Sequence, residues 1–90
     1  MPIDPLFMTP GQVTAARKQL GHQWGLGRQL RYAEFGRALR LQGRDPGQSV
    51  ALWETGKSPV TGPVSLLIEA FLAGFKPAEL RSIIAKKRPT

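Results

Sequence analysis

Residues 45–59, DPGQSVALWETGKSP, hold the densest set of side chains able to do chemistry in this 90-residue chain, and the chemistry they offer is recognition rather than catalysis. Gln48 carries an amide donor beside a carbonyl acceptor, a fork that matches a partner edge such as adenine's. Ser49 supplies a hydroxyl able to meet a base or a phosphate, and Leu52 an apolar surface of the kind that touches a thymine methyl. No nucleophile–base pair or paired carboxylates accompany them. The segment GLGRQL (25–30) lacks both a preceding strand and the full glycine spacing of a phosphate-cradling loop. With no cysteine and one histidine, His22, read as an ordinary exposed residue, no metal site or cofactor is expected. An enzyme is the poorest reading of these residues.

Charge narrows the class of partner. Thirteen Lys and Arg against six Asp and Glu give a net charge of +7, and small proteins this basic usually meet a polyanion, most often nucleic acid. The longest apolar run, VSLLIEAFLAGF (64–75), is interrupted by Glu69 and is too short to cross a bilayer. The start, MPIDPLFMTP, has no basic region followed by an apolar one, so a cytoplasmic protein is expected, associated with the nucleoid when on DNA.

Five helical periods must position these side chains. Residues 1–8 have no period and read as an arm. Thr9 caps a first helix with Pro10 in its first position and Gln12 completing a capping box. Val13, Ala16, Arg17 and Leu20 share one face of it, and Gly21 is expected to end it. An arginine on a core-facing stripe needs a partner. The next stretch reads as a loop pinned by Trp24, which either packs over the domain or forms a contact surface. From Arg31 a second helix places Tyr32, Phe35, Gly36 and Leu39 on one face. LQGRDPG (41–47) is a turn in which Arg44 and Asp45 make their own contacts or simply cap the third helix, Asp45 as its N-cap with Pro46 at the first helical position. The fourth helix carries Val64, Leu67, Ile68, Phe71, Leu72 and Phe75, with Thr61 or Gly62 as cap, and a short fifth carries Leu80, Ile83 and Ile84. The expected fold is all-α, five helices in one domain over residues 9–85, with a basic tail at 86–90. Lys86, Lys87 and Arg88 make that tail either a soluble end or an arm along a nucleic-acid backbone.

The order of these elements is that of a helix-turn-helix unit. Val50 and Trp53, three apart, share the buried side of the third helix, which leaves Gln48, Ser49 and Leu52, with Ala51 in part, on the opposite side. Gly36 supplies the small residue that a close crossing of helices 2 and 3 favours. Arg37 and Arg40 divide between a solvated face and a phosphate-seeking one.

VALWETGKSP (50–59) resembles the recognition-helix end of the Cro/C1-type (xenobiotic-response-element) helix-turn-helix family, AARKQLG its first helix and YAEFGRAL its second. The resemblance spans roughly residues 9–72. It implies a five-helix, lambda-repressor-like fold and a sequence-specific transcriptional regulator on a palindromic operator. It implies that Glu54 partners Arg17, that Gln48, Ser49 and Leu52 read bases, and that Arg31 or Tyr32, with Thr55 and Lys57, meet phosphates. The chain departs from the family pattern in the extra HQWGLGRQ (22–29) between helices 1 and 2 and in a lengthened turn, QGRDP (42–46).

Such regulators generally bind as dimers with recognition helices about 34 Å apart. The wide apolar stripe of helices 4 and 5 predicts a homodimer joined through Phe71, Phe75, Leu80, Ile83 and Ile84. Repression would follow from occluding a promoter, whereas activation would need a contact with RNA polymerase. The alternative is a protein-interaction module, such as an antitoxin or anti-activator, whose helix 4–5 surface binds another protein while DNA binding is secondary.

Overall fold

Thr9 opens the first helix, α1 (Pro10–Gln23). Its hydroxyl accepts the Gln12 N–H at 3.1 Å while Gln12 Oε1 accepts the Thr9 N–H at 2.8 Å, so two donors without helical partners are satisfied reciprocally. The computed structural model describes residues 7–78 and 80–85; among them all regular structure is helical. After α1 come α2 (Tyr32–Ala38), α3 (Gly47–Glu54), α4 (Gly62–Leu72) and α5 (Leu80–Ala85). Asp45 starts α3 as a turn residue: its carboxylate accepts the Gly47 N–H at 3.1 Å and its carbonyl the Gln48 N–H at 3.1 Å, with Pro46 already in helical conformation. Thr61 caps α4 by accepting the Val64 N–H.

Gly21 does not end α1, which runs two residues further. A Cβ at Gly21 would lie 1.8 Å from the Arg28 carbonyl oxygen. The position is small because the 24–31 segment folds back over α1. The Leu30 N–H then donates to the Arg17 carbonyl at 3.3 Å and the Leu26 N–H to that of Gly21 at 2.9 Å.

All five helices contribute to one core, with Val13 and Leu20 from α1, Phe35 from α2, Val50 from α3 and Ile68 and Phe71 from α4 essentially inaccessible. Trp24 belongs to this core. Only 7% exposed, it meets Phe71 edge-on with ring centroids 5.4 Å apart, a packing role rather than a contact surface. Phe71 and Ile83 are 1% and 4% exposed, which corrects their expected place in a dimer interface. The helical period put them on the widest apolar stripe, and the stripe is wide because α4 and α5 cover α1, α2 and Trp24. Phe75 remains 56% exposed, Leu80 is half-buried, and the side chain of Ile84 lies outside those described. No helix among the described residues is long and apolar enough to cross a membrane.

Candidate functional site

The site begins with an arginine in the core. Arg17, 7% exposed, reaches Glu54 at the end of α3 through Nε to Oε2 at 2.6 Å and Nη2 to Oε1 at 3.0 Å. This two-bond fork suits a planar guanidinium and a carboxylate. Thr14 adds its hydroxyl to Glu54 Oε1 at 2.9 Å, and the remaining side of Arg17 donates to the Leu30 carbonyl at 2.8 Å. The guanidinium also lies 4.6 Å from the centre of the Tyr32 ring. One buried cation therefore joins α1, the segment entering α2 and the end of α3.

The crossing of α2 and α3 depends on two glycines. A Cβ at Gly36 would fall 2.1 Å from the Pro46 carbonyl oxygen, and one at Gly47 would fall 2.8 Å from the Ala33 nitrogen and the Tyr32 Cβ. Both near neighbours are largely backbone, which cannot swing aside. The first turn of α3 is thus pressed against α2 despite the residues 39–46 that separate them. Gly36 was legible as a crossing residue, whereas Gly47 read only as part of a turn.

On α3, Val50 and Trp53 point into the core at 0% and 6% exposure. Gln48 is exposed on the opposite side, with Ser49 and Leu52 half-buried beside it. Offsets of three and four residues align these three along one stripe. Thr55 extends that stripe and is exposed, but its hydroxyl donates to the Ala51 and Leu52 carbonyls at 3.0 and 3.2 Å. In that geometry its single O–H proton is engaged by its own helix, so meeting a phosphate would require the hydroxyl to turn outward. Gly56 follows with φ of 79°, ending α3 with its N–H on the Trp53 carbonyl and leaving Lys57 exposed just beyond.

The other basic candidates lie on two further segments. Arg44 is exposed in the turn before α3. Arg31 and Tyr32, both exposed at the start of α2, line a concavity with Arg28, Gln29 and the edge of Arg17.

The sequence reading missed the pair that shapes this concavity. Arg28 holds Glu34 in a fork, Nη1–Oε1 at 2.9 Å and Nη2–Oε2 at 3.0 Å, while Glu34 Oε1 also accepts the Arg31 N–H at 2.8 Å. Burial alone would push the Glu34 carboxyl up. Hydrogen bonds from Arg28 and the Arg31 N–H, with the charge of both arginines, outweigh it and hold the group below its ordinary value. Glu34, in turn, raises the Arg28 guanidinium. The signal was present: a Glu three residues after the last residue before a helix is a capping pattern, though here the capping residue is an arginine.

Among the described residues no group of three His, Cys, Asp or Glu side chains is placed to hold a metal. No family model, curated protein or solved structure matches the chain. What it can do is therefore written in its own residues.

Proposed function

We propose that this protein is a sequence-specific DNA-binding regulator with a lambda-repressor-like helix-turn-helix, in which α3 enters the major groove. The observation that carries the proposal is the α2–α3 crossing at Gly36 and Gly47, which buries Val50 and Trp53 and leaves Gln48, Ser49 and Leu52 outward. A short helix held this way by its rear face has the form needed to insert its front into a groove about 12 Å wide. Gln48 reads adenine through its amide fork, Ser49 a neighbouring base or phosphate, and Leu52 a thymine methyl. Arg31, Tyr32, Arg44 and Lys57 meet phosphates on either side and fix the register, a role that carries no sequence information itself. The net charge of +7 favours the encounter.

The functional unit is a homodimer on a palindromic operator, joined where Phe75 and Leu80 remain accessible. Repression by promoter occlusion requires nothing more of the fold.

A band-shift against DNA flanking the protein's own gene, at two salt concentrations, tests the reading. A discrete shift is expected with wild type and not with Gln48→Ala, whose melting temperature stays unchanged because the side chain is exposed. Equal, sequence-specific shifts by both proteins would remove Gln48 and its stripe from the interface.

A further inference from the structure

A cleft of about 640 Å³ opens beside the exit of α3, lined by none of the residues proposed to read bases or meet phosphates. Trp53 and Val60, both buried, line it from the core. Phe7 and Met8, ahead of α1, and the 58–62 segment, ahead of α4, complete it. The chain's own hydrogen bonds fix these walls. The Met8 N–H donates to Ser65 Oγ at 2.9 Å, and Ser65 on α4 is inaccessible to solvent. The Phe7 ring lies near the start of α4, where a Cβ on Gly62 would meet its Cε1 at 3.4 Å. At the exit of α3, the Lys57 and Ser58 N–H groups both donate to the Leu52 carbonyl, at 2.9 and 3.3 Å. Small-molecule pockets occupy roughly 300–1,000 Å³, and this cleft falls within that range.

The lining is apolar with one polar edge. Two aromatic rings, Phe7 and Trp53, with Pro10 and Pro59, suit a flat apolar ring, which aromatic side chains meet offset or edge-on. The Ser58 hydroxyl, half-buried in the lining, has no hydrogen-bond partner among the described residues. Lys57 is exposed between Gly56 and Ser58, which both line the cleft, and its flexible stem puts an ammonium within reach of the mouth. The described residues lining the cleft include no carboxylate. An apolar interior with a cation and a free hydroxyl at its edge is complementary to a ring that carries a negative charge at one end.

We infer that this cleft binds a small aromatic carboxylate, its ring against Phe7 and Trp53 and its carboxylate on the Ser58 hydroxyl and the Lys57 ammonium. Hydrogen bonds to a charged acceptor are the stronger kind, so the carboxylate sets the orientation while the ring supplies the buried area. The site stands whether or not α3 reads DNA.

The test uses the whole chain with naphthoate as probe, naphthamide as the same ring without charge, and acetate as the charge without a ring. The two tryptophans report by their indole N–H resonances. Trp53 lines the cleft, whereas Trp24 does not and its N–H is withdrawn from solvent, which makes it the internal control. Naphthoate is expected to move the Trp53 signal saturably and leave that of Trp24 still. Naphthamide should bind more weakly and acetate not at all. Lys57→Gln, an exposed change, should weaken naphthoate by about two- to five-fold, the range of an exposed ion pair, and leave naphthamide unchanged. Gly62→Leu fills the cleft and is expected to abolish the shift, its melt without probe reporting its folding. Both indole signals moving alike, a shift without saturation, or a shift retained in Gly62→Leu overturns the site. Naphthamide binding as tightly as naphthoate, with no effect of Lys57→Gln, overturns the carboxylate. A Trp53 signal that moves on dilution without probe gives the cleft to a second copy of the chain and overturns the inference as well.

Discussion

Arg17 shows how one side chain can be both a cost and an organiser. Buried at 7% exposure, it is tolerable only because Glu54, the Leu30 carbonyl and the Tyr32 ring surround it. Removing the guanidinium strands Glu54, whose side chain is 6% exposed, with Thr14 the one remaining side-chain donor to it among the described residues. Arg17→Ala is therefore expected to lower stability by about 3–5 kcal/mol in urea titration. A loss below about 1 kcal/mol, the range of an exposed ion pair, would show that the buried fork does not hold α3 in place. Glu34 makes a prediction of a different kind, one in pH. Its folded-state value lies below the ordinary 4.5, so the unfolded chain takes up its proton first as pH falls. The stability contributed by Arg28 and the Arg31 N–H is thus fully present above the unfolded value and is lost as pH descends through the folded one. In Glu34→Gln the carboxylate is gone, and melting temperatures between pH 6 and pH 3 (roughly the span of carboxylate titration) should fall less steeply than in wild type. Equal slopes would mean that Glu34 is not the group responsible.

The elements are held in register by what is missing from them. At Gly36 an added methyl meets the Pro46 backbone, whereas at Gly11, on α1, it meets nothing within 4 Å. The same substitution should therefore act in opposite directions. Gly36→Ala is expected to cost about 1–3 kcal/mol by overpacking the α2–α3 crossing. Gly11→Ala is expected to add about 0.4–1 kcal/mol by restricting the unfolded chain. Chemical denaturation of the pair checks both, and similar values for the two would show that the crossing is not tight. This contrast also marks what a sequence can disclose. Caps and periods are local, so Thr9, Pro10, Gln12 and Thr61 made the starts of α1 and α4 legible, and Val50 and Trp53 made the rear face of α3 legible. Gly21 and Gly47 misled because a glycine that ends a helix and a glycine that admits a neighbouring backbone look identical in sequence. The Arg28–Glu34 fork stayed hidden for a related reason. It depends on how the 24–31 loop lies back over α1, which no helical period encodes. Of the outward stripe of α3, exposure of Gln48 followed from the period, but the inward turn of the Thr55 hydroxyl did not.

At the scale of the whole molecule, the proposed function raises the question of how one small basic domain would reach useful affinity for a single DNA site. Each chain carries a net charge of +7, and a lone α3 would offer only the three side chains proposed to read bases. Two copies on a palindrome double both, and binding that neutralises Z phosphates weakens with salt at a log–log slope of about −0.9Z. With Phe71 and Ile83 taken up by the core, the proposed dimer would be joined at Phe75, 56% exposed and stacked on Phe71 at 5.9 Å, although Leu66 on α4 is exposed as well, at 67%. An aromatic ring supported from beneath by another ring is a rigid projection, the form that anchors interfaces at little entropic cost. Phe75→Asp places a charge at that point and also removes the ring stacked on Phe71, so its fold is checked alongside its association state. Sedimentation of the wild type is expected to show a dimer and that of Phe75→Asp a monomer, with circular dichroism reporting that both are helical. The salt slope of DNA binding should fall to about half in the variant, since each bound monomer contacts only one half-site's phosphates. A wild-type protein that sediments as a monomer, or a Phe75→Asp protein that keeps the full slope, would place the dimer contact elsewhere or show that one domain acts alone.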